Sequence, residues 1–373
     1  MDLAPIRLGN GVTIAWPVAL APMAGVTNAV FRLLCREHGC GYTTTEFARD
    51  RALLMGVPSQ VALIDIRTDP RPAGIQIFGA DPDEMRRAAA LVVERQRPDV
   101  VDINMGCPAP KVTNGQGGSS LLREPARAQA IVAAVAKEIA PVPVTVKLRV
   151  GWDEVHKASG AAVDVARRVV DAGAQLLTVH GRTREQRYEG EACWDTISAV
   201  AAAVPVPVIG NGDVASPQDA AHRLRTSGCA GISVGRGARG RPWLFRQIAA
   251  YLRHGVWLPE PGPAERARLG LAHLRRQRSL ALALLHEEQE QAGRLRPRLR
   301  SPAQLAQEAD RRALGAMLPH VMYYVTGTPG AAALRRALSQ ARSASELEDI
   351  LAGIAAQPDA LAAADPLPTA HPT

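Results

Sequence analysis

Pro98-Asp99-Val100-Val101-Asp102-Ile103-Asn104-Met105-Gly106-Cys107-Pro108 is the stretch from which the fold can be read. Its apolar run reads as a strand covered on both faces, hence a strand of a parallel sheet. It ends in a small loop that presents one cysteine, where Gly106 lets the backbone turn and Pro108 fixes φ. Strand-end loops are where barrels and open α/β sheets carry their reacting groups, so Cys107 is the candidate for the chemistry. A free cysteine is also a common inert packing residue. The company of Cys107 favours function: Lys111, Asn114, Gly115, Gly117, Gly118, Ser119 and Ser120 form a polar, Gly-rich loop long enough to shape a site before a helical run begins at Glu124.

The same signal recurs on both sides. Strand signals near 18–21, 42–46, 74–78, 143–149, 175–180, 206–210 and 230–234 alternate with helical patterns near 27–38, 49–55, 82–95, 124–139, 159–172, 194–203, 216–227 and 243–253. Eight strand–helix units in about 250 residues predict a (β/α)8 TIM barrel of the α/β class, with a doubly wound sheet as the alternative. Thr27 before Phe31, Asp81-Pro82, Glu124-Pro125 and Ser216-Pro217 supply helix starts. Ile6-Arg7-Leu8 and Val12-Thr13-Ile14 around Gly9-Asn10-Gly11 read as a hairpin that plugs or rims the barrel. Amphipathic runs at 263–285, 303–326 and 330–353 predict a smaller C-terminal all-α helical domain. The expected division is 1–245 for the barrel, 246–356 for the helices and 357–373 for a disordered Ala/Pro-rich tail.

The 373 residues are 47% hydrophobic, enough for a sizeable core. No uninterrupted apolar stretch of about 18 residues and no cleavable N-terminal pattern occurs, so a soluble, cytoplasmic protein with no membrane attachment is expected. Nothing in the sequence predicts a protein partner. Cys35, Cys40, Cys107, Cys193 and Cys229 are scattered and lack a Cys-x-x-Cys pair, which argues against a metal centre or a disulfide framework. The net charge of +8 is concentrated in residues 241–355, which hold 17 Arg against 10 acidic residues. Such a surplus attracts nucleic acid or another polyanion, or forms a solvated helix face.

In a barrel the C-terminal ends of all strands meet at one mouth. The residues brought there would be Pro22, Met23 and Ala24, then Glu46, Gln76, Asn104 and Cys107, then Lys147 and Arg149. His180, Arg182 and Arg184 follow, and Asn211, Gly212, Asp213, Gly235 and Arg236 complete the set. Each alone has a structural reading, but their convergence predicts a site. The small glycine-bearing loops after strands 7 and 8 suit a phosphate. The Gln76 amide and Lys147 ammonium suit a flavin, whose N1/O2 edge becomes negative on reduction. FMN fits better than a dinucleotide, because neither a Walker loop nor a Gly-x-Gly-x-x-Gly fingerprint opens a βαβ unit.

With these residues assembled, the chain resembles the tRNA-dihydrouridine synthase family, most closely its bacterial DusB-like branch. The resemblance rests on Ala21-Pro22-Met23-Ala24-Gly25-Val26-Thr27, Gln76-Ile77-Phe78-Gly79, Asp102-Ile103-Asn104-Met105-Gly106-Cys107-Pro108 and Val146-Lys147-Leu148-Arg149. Val179-His180-Gly181-Arg182-Thr183-Arg184, Asn211-Gly212-Asp213 and Gly235-Arg236-Gly237 continue it in the family's order. It implies FMN-dependent reduction of a uridine C5=C6 bond in tRNA, with NADPH as reductant. Carried over by position, Cys107 is the proton donor. Pro22, Met23, Ala24, Gln76, Lys147, His180, Asn211, Gly212, Asp213, Gly235 and Arg236 hold FMN, and Asn104, Arg182 and Arg184 lie near the substrate. A thiol with an ordinary pKa of about 8.5 is mostly protonated at pH 7, as a proton donor requires.

The sequence departs from the family pattern in three places. Asn28 stands where the family usually has an acid. His320 remains in the stretch 318–330, but the two lysines usual near it are missing, and an Arg-rich stretch runs from His286 to Arg312. The helical domain is the expected tRNA clamp, with Arg294, Arg296, Arg298 and Arg300 as candidates to pair with phosphates. The alternative function is a flavin-dependent dehydrogenase of a free pyrimidine, of the dihydroorotate or dihydropyrimidine type. Such an enzyme would share the FMN loops and the cysteine but would not need a basic appended domain.

Overall fold

Eight parallel strands close on themselves in the computed structural model, which describes residues 3–293, 300–326, 328 and 330–357. They are β1 (Val18–Leu20), β2 (Tyr42–Thr44), β3 (Ala73–Phe78), β4 (Val100–Met105), β5 (Val144–Arg149), β6 (Ala174–His180), β7 (Val208–Asn211) and β8 (Gly231–Val234). Each pairs with its sequence neighbour, and β8 pairs with β1 to complete the ring. Around them run α1 (Ala29–Glu37), α2 (Asp50–Leu54), α3 (Pro82–Gln96), α4 (Pro125–Ile139), α5 (Ala161–Asp171), α6 (Trp194–Ala203), α7 (Pro217–Thr226) and α8 (Leu244–His254). The expected TIM barrel is therefore the observed architecture.

Local chemistry accounts for the helix starts. Asp81 accepts from the amides of Asp83 and Glu84 at the start of α3, and Ser216 accepts from Asp219 at the start of α7. At α1 the cap is Asn28, which accepts from Phe31 N, not Thr27. The Thr27 hydroxyl instead accepts from Met23 N at 2.9 Å and ties down the loop after β1.

Side chains alternate across each strand, which sorts the barrel into layers. Ile75, Ile77, Val101, Ile103, Val146, Leu148 and Val179 join the main core cluster with the helices. Inside the ring, Ala19, Tyr42, Leu176 and Ile209 cluster with Ile6 and Ile14 of the hairpin. The hairpin pairs Ile6–Arg7 with Thr13–Ile14 and is docked by Gly9 N donating to Gln175 Oε1 at 2.7 Å. The floor of the barrel is thus apolar and plugged, which leaves the polar interior positions to the other end.

The chain divides into two compact units, Met1–Leu258 and Pro259–Thr373. The break falls after Leu258 and not after residue 245, because Leu244, Phe245, Ile248 and Leu252 of α8 belong to the barrel core. The second unit contains α9 (Pro263–Gly293), α10 (Pro302–Tyr324), α11 (Ala331–Gln340) and α12 (Ala344–Ala355). Its interior holds Leu274, Met317, Val321, Leu347 and Leu351 together with His273 and His320, whose rings meet with centroids 4.9 Å apart. Arg294, Arg296 and Arg298, and the tail after Gln357, lie outside the described residues. Among the described residues no helix is long and apolar enough to cross a membrane.

Candidate active site

The strand register builds the site. Gln76 lies opposite Asp102, Asn104 opposite Lys147, Arg149 opposite His180, and His180 opposite Asn211. These residues, on β3 to β7, occupy neighbouring rungs around the mouth.

The Cys107 backbone is held from both sides. Its N–H donates to Asn104 Oδ1 at 2.9 Å, and its carbonyl accepts from Ser119 N at 3.2 Å and from Ser119 Oγ at 2.9 Å. Gly118 must be glycine here: its φ is +58°, and a Cβ would lie 2.9 Å from the Cys107 carbonyl oxygen. The loop is less open than its composition suggests, since it contains a helical turn at Pro110–Thr113 and a 3-10 segment at Gly118–Arg123. Burial pushes the Cys107 thiol up, against the lowering influence of the Ala109 backbone and of Arg149, Lys111 and Lys147. The thiol therefore keeps its proton at neutral pH.

Arg149 joins this loop to the one after β6. Its Nε donates to Gly106 O at 2.8 Å, and its Nη1 donates to Thr183 O at 2.7 Å and Arg187 O at 2.8 Å. Lys147 retains some accessible surface but sits deep among protein atoms, and burial followed by the Arg149 charge lowers its pKa to about 8. Its Nζ reaches Asn211 Oδ1 at 3.5 Å, which leaves donor capacity toward the mouth. His180 is held well below the ordinary imidazole range, chiefly by burial and then by Arg149, Lys147, Arg182 and Arg236, so its ring is neutral.

The loops after β7 and β8 pack against their surroundings so closely that only glycine fits. A Cβ on Gly237 would lie 2.4 Å from Val214 O, and one on Gly212, at φ +136°, would lie 2.5 Å from Ala192 Cβ. Gly235 is different, since its Cβ would meet Ala21, Asn211 and Met23 only at 3.8–3.9 Å. Those are ordinary contact distances, and they bring the strand-end loops after β1, β7 and β8 together. Asp213 accepts from Arg182 Nη2 at 2.8 Å and from Arg236 Nη2 at 3.2 Å. Burial opposes its charge, but the Ala192 amide and these arginines outweigh it and hold the carboxyl below the usual range.

Several expected site residues thus fall together: Met23 and Asn211 near Gly235, Asn104 between Gln76 and Cys107, and Lys147 beside Asn211. Pro22 and Ala24 lie in the turn after β1, where Glu46 Oε2 accepts from Gly25 N at 2.6 Å. Arg182 and Asp213 are turned to one another and to the neighbouring loop, Arg182 donating to Glu189 O and Gly190 O and Asp213 accepting from Ala192 N. Arg184 turns to Trp152, its guanidinium 4.5 Å from the ring centroid. Two groups in the supporting structure lie outside the expected site residues. Thr145 is a small polar residue with no distinctive spacing, and Arg32 is a buried cation on α1 that donates to Thr27 O at 2.9 Å. A polar residue on an otherwise apolar helix face is one signal for Arg32, beside its place in the family-like stretch Phe31-Arg32-Leu33-Leu34.

Residues 19–360 match the family model for dihydrouridine synthase. The chain is 44% identical to tRNA-dihydrouridine synthase B of Pseudomonas putida over 73% of this chain and 79% of that protein. It is 38% identical to a probable tRNA-dihydrouridine synthase of Synechocystis sp. over 93% and 88% respectively. Among solved structures, histamine dehydrogenase from Rhizobium sp. 4-9 superposes with a TM-score of 0.52 at 16% identity, over 66% of this chain and 47% of that one, a likeness of fold. The barrel, its cysteine loop and a family match that spans both units agree: the chain belongs to the dihydrouridine synthase family.

Proposed function

We propose that this protein reduces the C5=C6 bond of uridines in tRNA to 5,6-dihydrouridine, with FMN as its bound cofactor and NADPH as the reductant. The observation that carries the reading is Cys107, a protonated thiol whose backbone is fixed on both sides at the mouth of the barrel. The residues present suit a flavin. The glycine loops after β7 and β8 would offer backbone N–H groups to a phosphate, and the donor capacity of Lys147, with Gln76 and His180 nearby, suits an acceptor-rich ring edge.

Bound there, reduced FMN would supply a hydride to one carbon of the uracil C5=C6 bond. Cys107 gives its proton to the other carbon and becomes a thiolate, which solvent reprotonates. Lys147, charged below about pH 8, places a positive charge beside Asn211, where negative charge on a ring edge would be stabilised. Arg149 keeps the cysteine loop and the 183–187 loop in one arrangement, so the donor does not wander from the base. A target base must leave its stack to reach this mouth, and the unstacked loops of folded RNA make that cheap.

Cys107→Ala tests the reading. The variant should retain its flavin and its NADPH oxidation while dihydrouridine formation slows by about 10²-fold or more, the usual worth of a positioned general acid. Unchanged turnover on tRNA would make Cys107 a packing residue. Turnover of free uracil or orotate would move the enzyme to the free-pyrimidine class.

A further inference from the structure

One buried charge at the site has no part in the chemistry described above. Asp102 lies inside the barrel, 5% exposed, opposite Gln76 on β3 and Thr145 on β5. Gln76 Nε2 donates to its Oδ2 at 2.6 Å, and Thr145 Oγ1 donates to its Oδ1 at 2.5 Å. A carboxylate only accepts, so Gln76 must turn its amide NH2 toward Asp102 and its Oε1 away. That oxygen accepts from Asn104 Nδ2 at 2.8 Å. Asn104 is then left with Oδ1 facing the N–H groups of Gly106, at 3.1 Å, and of Cys107, at 2.9 Å. An acceptor at one end and two backbone donors at the other fix the orientation of both amides. The same carboxylate is the anion acting on Lys147, whose other charged or titratable neighbours are Arg149, Cys107 and His180. From β2, Tyr42 also feels the Asp102 charge.

Resting on the flavin reading above, we propose that Asp102 is a positioning residue for the reduction. It sets the Cys107 backbone through Gln76 and Asn104, and its charge faces Lys147. A buried carboxylate in a polar chain of this kind is costly unless every partner is satisfied, and here both oxygens are engaged.

Two variants separate the parts. Asp102→Leu removes the acceptor, so the amide chain loses its polarity. Asp102→Asn keeps an acceptor for Gln76, turns its NH2 toward Thr145, and removes only the charge. Asp102→Leu should slow dihydrouridine formation about 10²-fold and speed the alkylation of Cys107 by iodoacetamide. Asp102→Asn should recover to within about 5-fold of the original turnover at pH 6.5 and keep alkylation slow. Without tRNA, the absorption of the bound flavin should titrate as Lys147 loses its proton near pH 8. In Asp102→Asn this inflection should move to lower pH, because the charge that favoured the ammonium is gone. An Asn variant that behaves like the Leu variant in turnover and alkylation, or an inflection that does not move, overturns the proposal. If Asp102→Leu fails to fold, the Asn titration decides alone. A wild-type protein that takes up no flavin would defeat the functional reading instead, and so the two failures are distinguishable.

Discussion

In the barrel unit, Arg32 and Asp69 form an ion pair whose side chains are 2% and 1% exposed, while in the helical unit Arg275 and Glu348 form one at 62% and 22%. The barrel pair is bidentate, at 2.6 and 2.8 Å, and Arg32 also donates to Thr27 O and Asp65 O, so every charge removed from water has a partner. The helical unit arranges its charges along exposed faces, with Arg278 reaching Asp310 and Glu348, and Arg312 reaching Glu288 and Glu308. Buried pairs fix loops in place, and exposed pairs cost little to exchange for another partner. The first kind suits a site that must hold a proton donor still. The second suits a surface that trades carboxylates for phosphates.

The largest effect should follow from breaking the buried pair. Asp69→Ala leaves the Arg32 guanidinium uncompensated in the core, which typically costs about 3–5 kcal/mol, nearly the whole margin of many domains. Urea unfolding of the variant against the parent measures it. A loss under about 1 kcal/mol would mean that the Arg32 pocket rehydrates as readily as a surface pair does. The comparison between the units would then dissolve.

A smaller effect is expected from the basic surface of the helical unit. Many of its arginines are committed to ion pairs, so its net charge overstates what a polyanion can use. Among the described residues, the exposed Arg335 and Arg336 of α11 make no ion pair. Replacing both with Ser should weaken tRNA binding and reduce the slope of log K against log salt by somewhat under one unit for each phosphate no longer neutralised. The flavin spectrum should not change. An unaltered salt slope would make α11 a solvated face and transfer phosphate binding to other residues.

What could be read from the sequence follows from which forces are local. Most of the strands were legible because a strand covered on both faces is a short, largely apolar run, as in Val100–Met105, whereas Tyr42–Thr44 is legible from its β-branched threonines, and the helix starts because Asp81 and Ser216 carry their own caps. The strand-end set was legible because a barrel sends every strand's C-terminal end to one mouth. The partner of each group was not legible, since that depends on register between strands and on how loops pack. Nothing in Gly181-Arg182-Thr183 says that Arg182 will face Asp213, 31 residues further on. The role of Asp102 was hidden for the same reason, because its partners Gln76 and Thr145 come from two other strands. The boundary between the units was misplaced because α8 carries an amphipathic pattern that serves a barrel core as well as a helical bundle.

The smallest effect belongs to an exposed network in the helical unit. Glu308 accepts from Arg311 at 2.6 and 2.7 Å and from Arg312 at 3.1 Å, and the Arg311 hydrogen bonds lead in bringing its carboxyl down to about 2. A carboxyl whose folded pKa is depressed contributes stability that is fully present above its ordinary value of about 4.3. That contribution is lost as pH falls from there toward about 2. Arg311 is 73% exposed, so water screens the interaction and the contribution at neutral pH should stay within about 1 kcal/mol. Glu308→Gln should therefore shift the unfolding midpoint only slightly at pH 7, and less in 1 M salt, where the Debye length falls to about 3 Å. The difference between variant and parent should shrink as the pH is lowered through 4. A loss above about 2 kcal/mol, or a difference that survives at the lowest pH, would mean that Glu308 acts as a buried anchor of the Arg32–Asp69 kind, and that exposure is a poor guide to which charges hold this protein together.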